Sequence, residues 1–291
     1  YNLALKDFLL TRSDILGTTE QERANVLYRG GLRIYTTLDP VAQKSAENAR
    51  NILPNTKVGF DAAVVSLDTA SGAIRAMVGG RGLRSDVPGG EVNMALVPRQ
   101  TGSSIKSFIL AAAYQAGAQP NDIIDGRVPC TVPDWANGKP VDKIVKNGYG
   151  EVGPLNGPNT WKSTDCGYIR LSQALGLPRL VDTVYRIAHS TYFYAGQPTS
   201  ERVAFQPLGL LATGNNVMAP IDMASGMQTI MNKGLHHDPY YVEKVLDGAG
   251  KVLYQHADDG VQALDERAAL QTIDSLKGVI RSGTGARNLS K

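Results

Sequence analysis

The chain has 291 residues, enough for one large domain or a domain with a smaller partner. Its 42% hydrophobic and 20% charged residues are ordinary globular proportions, which excludes disordered and fibrous classes. The net charge is +3, with Lys and Arg scattered and no basic stripe interleaved with aromatics, so nucleic acid is excluded as a partner. No apolar run reaches the length needed to cross a bilayer. The opening YNLALKDFLLTRSD is no signal peptide and reads as mid-protein, so targeting information is expected upstream.

Residues 1–30 read as loosely helical. In GGLRIYTTLD, Leu32, Ile34 and Thr36 alternate with Arg33, Tyr35 and Thr37, a strand pattern. Asp39-Pro40 reads as an N-cap followed by proline at the first helical position, and the helix runs to Pro54. DAAVVSLD-TASG-AIRAMVGG is a hairpin, with Ala63, Val65 and Leu67 on one face and Ile74, Ala76 and Val78 likewise sharing one. Residues 82–102 read as a surface loop. A core-facing helix follows on Ile105, Phe108, Ile109, Ala112, Ala113 and Ala116, ended by Gly117. Residues 118–160 read as irregular. Residues 166–176 form a helix ending on Gly176 and Pro178, and APIDMASGMQTIMNKG forms another. His236-His237 reads as a solvated turn. YYVEKVLD-GAG-KVLYQ is a second hairpin, and DERAALQTIDSLKGVIRSG closes with an amphipathic helix.

Two features carry possible chemistry. Ser103 and Lys106 stand three apart at the start of the core helix, so hydroxyl and amine can share a face. A serine beside a lysine in apolar surroundings is one way to activate a nucleophile. The plainer alternative is a helix start with a snorkelling lysine, and S-x-x-K alone occurs by chance roughly once in a chain this long. Ser163-Thr164-Asp165 precedes the helix at 166; Asp165 or Ser163 could simply cap it. The same S-x-[ND] spelling at Ser66-Leu67-Asp68 lies in a strand and reads as structural. Cys130 and Cys166 are too few for a structural metal; they are either two buried thiols or one disulfide. His189, His236, His237 and His256 show no ligand spacing.

GGLRIYTTLDPVAQ, AAVVSLDTASGAIRAMVGGR, NMALVPRQTGSSIKSF, STDCGYIRLSQALG and GNNVMAPIDMASGMQTIMNKG occur in one order. That order resembles the transpeptidase domain of class A, bifunctional penicillin-binding proteins, and the Cys after the second motif resembles the actinobacterial branch. The resemblance covers nearly the whole chain from about residue 30; S-x-x-K with a second serine motif and K-T-G marks penicillin-recognising enzymes. It implies an α/β (α+β) penicillin-binding/β-lactamase-like fold, an antiparallel sheet flanked by helices, with its C-terminal strands missing from this chain. Residues 1–36 would be the linker after an absent glycosyltransferase domain, and 37–291 a transpeptidase domain incomplete at its C-terminus.

The resemblance further implies that Ser103 is the acylated nucleophile and Lys106 its base, acting as a neutral amine. Ser163 would relay a proton. Asp165 would stand where the family usually has Asn, and Ser103 and Asp165 would contact substrate. Asn both donates and accepts, whereas an ionised Asp only accepts and favours an ammonium beside it. Asp165 is therefore protonated, turned away, or a cause of slowed acylation. The K-[ST]-G motif is absent, since no lysine precedes Gly283-Thr284-Gly285. Its strand would supply one of two oxyanion donors, a loss of roughly a hundred- to a thousandfold in rate. A continuation past Lys291 is expected to carry it. The family works outside the cytoplasmic membrane, anchored by an N-terminal segment absent here, and in that compartment a Cys130–Cys166 bridge is expected.

The implied function is serine D,D-transpeptidation of peptidoglycan stem peptides, with β-lactams acylating Ser103 and no metal or organic cofactor. A D,D-carboxypeptidase or β-lactamase-like hydrolase would share Ser103 and Lys106, but GGLRIYTTLDP argues for the bifunctional transpeptidases. A non-catalytic binding module is the third option, and Asp165 is its best support.

Overall fold

The computed structural model describes residues 1–53, 61–81, 92–136, 139–146, 152–155, 165–189, 206–258, 260–281 and 286. In chain order the elements are α1 (Asn2–Asp7), α2 (Glu20–Arg29), β1 (Arg33–Thr36), α3 (Pro40–Asn51), β2 (Val64–Leu67), β3 (Ile74–Val78), β4 (Arg99–Gln100), α4 (Lys106–Gln115), β5 (Ile123–Asp125), β6 (Cys130–Ala136), β7 (Lys139–Val145) and β8 (Val152–Pro154). Then follow α5 (Asp165–Leu175), α6 (Leu177–Ala188), β9 (Val217–Met218), α7 (Pro220–Met231), β10 (Leu235–His236), β11 (Val242–Leu246), β12 (Val252–Gln255), β13 (Val261–Gln262) and α8 (Glu266–Arg281). The chain divides into two compact units, one of residues 1–97 with 237–260, the other of 98–236 with 261–291.

In the first unit β1, β11 and β12 form an antiparallel sheet, and β2 and β3 a hairpin. Asp39 caps α3 as its sequence predicts, accepting from the Val41 and Ala42 N–H groups. Helix α3 lies on the hairpin: Ala46 packs with Ala76 and Val78, flanked by Ala42 and Val64. The Gln43 amide fixes that docking by hydrogen-bonding both the N–H and the carbonyl of Met77. Opposite residues in an antiparallel pair share a face, so Val64 rather than Val65 joins Val78.

The second unit is built around α4, which is buried on every side from Phe108 to Tyr114. Helices α5, α6 and α8 pack against it. Ala116, expected on the buried stripe, lies past the helix end and is exposed. Gly226 of α7 meets Phe108 so closely that a Cβ there would collide with the ring. The Tyr114 hydroxyl pairs with Ser275 of α8 at 2.8 Å.

Four expectations are corrected. Residues 118–160 are not wholly irregular: β5 pairs with β8 and β6 with β7, all antiparallel. Pro133 and Pro140 hid the second pair, yet in a two-stranded ribbon every strand has a free edge, where proline is tolerated. Helix α6 begins where Pro178 was read as a stop; proline in a first turn starts a helix as readily as it follows one. Arg99 and Gln100 form a strand with Val217 and Met218 within the expected surface loop, of which residues 82–91 lie outside the described residues. His236 and His237 are both buried rather than solvated. His236 pairs with Thr229 at 2.8 Å and His237 with Asp258 at 3.0 Å, which offsets the cost of burying an imidazole.

Candidate active site

The turn carrying Ser103 is held from both ends. Upstream, β4 pairs with β9, and the Thr101 N–H donates to the Asn216 carbonyl. Asn216 is itself buried, its side-chain amide exchanging two 2.9 Å hydrogen bonds with the backbone of Gln206. Downstream, the 3₁₀ turn Gly102–Ile105 runs directly into α4, with the Lys106 N–H donating to the Ser103 carbonyl. Gly102 has φ of +54° and Gly214 φ of +83°, and the two backbones touch: a Cβ on Gly214 would overlap the Gly102 main chain.

Ser103 is exposed on this turn, and among the described residues nothing hydrogen-bonds its hydroxyl. Ser104 and Ser107 instead turn their hydroxyls to backbone carbonyls, of Thr101 at 2.5 Å and of Ser104 at 2.7 Å. Lys106 is the first residue of α4, and Ile105 and Phe108 beside it are fully buried.

The residue that meets Lys106 comes from the second motif. Asp165, first residue of α5, places Oδ1 2.6 Å from the Lys106 ammonium, a charge-assisted contact between side chains 13% and 29% exposed. Of the three arrangements open to Asp165 from sequence, turned away is thus excluded. Ser163 lies outside the described residues. Tyr168, one turn along α5, sets its ring centroid 5.5 Å from the same ammonium, and burial pushes its phenol up to about 12. Sequence reading missed Tyr168; its i,i+3 spacing from Asp165 was the available signal.

The Cys130–Cys166 disulfide is formed, with 5.6 Å between the Cα atoms. It ties the first residue of β6 to the residue after Asp165. Arg170 of α5 reinforces that junction, donating to the carbonyls of Asp125 and Arg127 at 2.7 and 2.8 Å. The carboxylate of Asp125 is held at about 2 by the Arg127 side chain and N–H, with the Arg170 charge adding to it. The beginning of α5, and with it Asp165, is therefore fixed by a covalent bond and a fan of charge-assisted hydrogen bonds.

Residues 62–290 match the family described as penicillin binding protein transpeptidase domain. Over 248 residues the chain is 32% identical to penicillin-binding protein 1A of Mycolicibacterium smegmatis, covering 82% of this chain and 30% of that protein. It is 33% identical over 229 residues to penicillin-binding protein 1A of Mycobacterium tuberculosis, covering 77% of this chain and 26% of that protein. The fold is similar to that of the penicillin-binding protein PonA1 from Mycobacterium tuberculosis, with a TM-score of 0.71 and 26% identity over 92% of this chain and 67% of that one. PonA1 in complex with penicillin V matches with a TM-score of 0.66 and 28% identity, over 84% of this chain and 63% of that one. The chain spans about a third of the length of the curated relatives it matches.

Proposed function

Because this chain belongs to the penicillin-binding protein transpeptidase-domain family, we propose that it is a serine D,D-transpeptidase that cross-links peptidoglycan. One observation carries the reading: the lysine of S-x-x-K and the second motif, 59 residues apart in sequence, meet at 2.6 Å at the mouth of two helices. Two motifs that are weak singly become informative when the fold brings them together.

In this reading Ser103 Oγ attacks the carbonyl of the penultimate D-Ala of a stem peptide. Lys106, as a neutral amine, takes the hydroxyl proton, and Ser163 relays a proton to the departing D-Ala. The amine of a neighbouring stem then resolves the acyl-enzyme. The Ser103 N–H is one donor to the oxyanion, and the other is assigned to a K-[ST]-G strand in sequence following Lys291. β-Lactams acylate the same serine. PonA1, solved with penicillin V, supports this assignment.

Residues 1–36 act as a linker and 37–291 as the transpeptidase domain. The site faces the outside of the cytoplasmic membrane, which the disulfide favours. Among the described residues no helix is long and apolar enough to cross a membrane.

The test is intact-mass spectrometry after incubation with a penicillin, on this chain and on the protein extended past Lys291, with peptide mapping of the adduct. A Ser103 adduct, lost in Ser103→Ala, is expected in the extended protein. An extended, folded protein that stays unlabelled overturns the enzymatic reading in favour of a non-catalytic peptide-binding module, which the engagement of Lys106 by Asp165 would then explain.

A further inference from the structure

A base must offer a lone pair, and a carboxylate stands at contact distance from Lys106. The lysine side chain is 13% exposed, beside the fully buried Ile105 and Phe108. Asp165 Oδ1 lies 2.6 Å from its nitrogen, and the Tyr168 ring centroid lies 5.5 Å from the same atom. Opposite charges this close, in partly buried surroundings, attract strongly.

From this geometry we infer that Asp165 acts as a brake on acylation by holding Lys106 in a close ion pair, and that removing its charge accelerates attack by Ser103. The inference rests on the roles given to Ser103 and Lys106 in the proposed function. During acylation the Ser103 O–H bond breaks as the Oγ–carbonyl carbon bond forms, and the proton passes to Lys106 Nζ. The amide or lactam C–N bond then breaks, and its nitrogen takes up a proton. An ammonium has no lone pair for the first transfer. Lys106 must first release a proton to water, which strands a half-buried carboxylate without its partner. An Asn in the same place would still accept a hydrogen bond from the lysine, with no charge to strand. Asp165 touches Lys106 and acts on the reaction through it; it is a positioning residue that engages the base.

The test compares the protein extended past Lys291 with its Asp165→Asn, Asp165→Ala, Asp165→Glu and Ser103→Ala variants. Each is incubated with benzylpenicillin at one pH; the acylation rate is read by intact mass, the adduct is mapped, and melting temperature is recorded. Asp165→Asn and Asp165→Ala are expected to acylate Ser103 at least about tenfold faster, the factor one charge-assisted hydrogen bond is worth. Asp165→Glu, which keeps the charge, is expected to remain slower than both neutral variants. A merely structural Asp165 would lower the melting temperature and could not raise the rate. If both neutral variants label Ser103 no faster than the native protein, or if Asp165→Glu is as fast as they are, the brake is overturned while the transpeptidase reading stands. If no variant labels Ser103, the transpeptidase reading fails and the brake with it.

Discussion

Gly214 meets Gly102 backbone to backbone, and its φ of +83° lies where side chains are disfavoured. Gly214→Ala therefore suffers twice, from the dihedral and from the overlap, and is expected to cost about 1–3 kcal/mol of stability. The overlap can be relieved by displacing the turn that carries Ser103. The expected signature is penicillin labelling that falls by more than the loss of folded protein, read by mass and by denaturant melts on one sample. A second prediction concerns His256, which stacks on Tyr240 at 3.5 Å and accepts from or donates to the Tyr254 hydroxyl at 3.1 Å. It lines a cavity of about 400 Å³ with Ser71, His237 and Asp258. Burial lowers its titration below 6.5, His237 adds to that, and Asp258 and Glu243 oppose it. The unfolded chain then takes up a proton at a higher pH than the folded one, so stability falls as pH drops through about 6.5. Asp258 contributes a lower window. Burial raises it, but the Gly260 N–H and His237 outweigh that and hold it below 3.8, so its share is lost only as pH falls further. Melting temperature is expected to decline from pH 7.5 to 5.5, and His256→Gln to flatten that decline.

Between elements, the disulfide closes a loop 36 residues apart in sequence and anchors the start of α5. Reducing it, or replacing Cys130 with Ser, is expected to cost about 2–4 kcal/mol in a denaturant melt. Because Cys166 follows Asp165, penicillin labelling of the reduced protein is expected to change even where it remains folded. Elements marked by strong local chemistry were legible in the sequence: Asp39-Pro40 opened α3, and Thr69 to Gly72 turned the hairpin β2–β3. Two of those read wrongly, α6 and the β6–β7 pair, share one cause, which is that proline has two meanings. Pro178 reads as a terminator, although Leu180, Val184, Ile187 and Ala188 behind it repeat at helical spacing and are buried. Pro133 and Pro140 lie in the stretch that reads as irregular, yet β6 and β7 pair over seven residues each. Local pattern cannot say whether a strand has a free edge; pairing decides that.

For the whole molecule, the candidate site was legible in part. Ser103, Lys106 and Asp165 follow from motif spelling, but their mutual placement depends on two helices packing, which no local pattern encodes. Asn216 and Gly214 became visible only with the fold, since each meets the turn carrying Ser103 across a long stretch of sequence. The mixed α/β architecture with antiparallel sheets is the one the family resemblance implied. The same long-range dependence governs how β1 reaches its place. Arg33 pairs with Leu246, so the strand that completes the first sheet is made more than two hundred residues after the one it covers. At about 5–20 residues per second of synthesis, β1 waits on the order of ten to forty seconds for a partner. Until then its backbone donors and acceptors stand open to any other strand nearby, and the chain depends on being kept apart from its neighbours before it can fold.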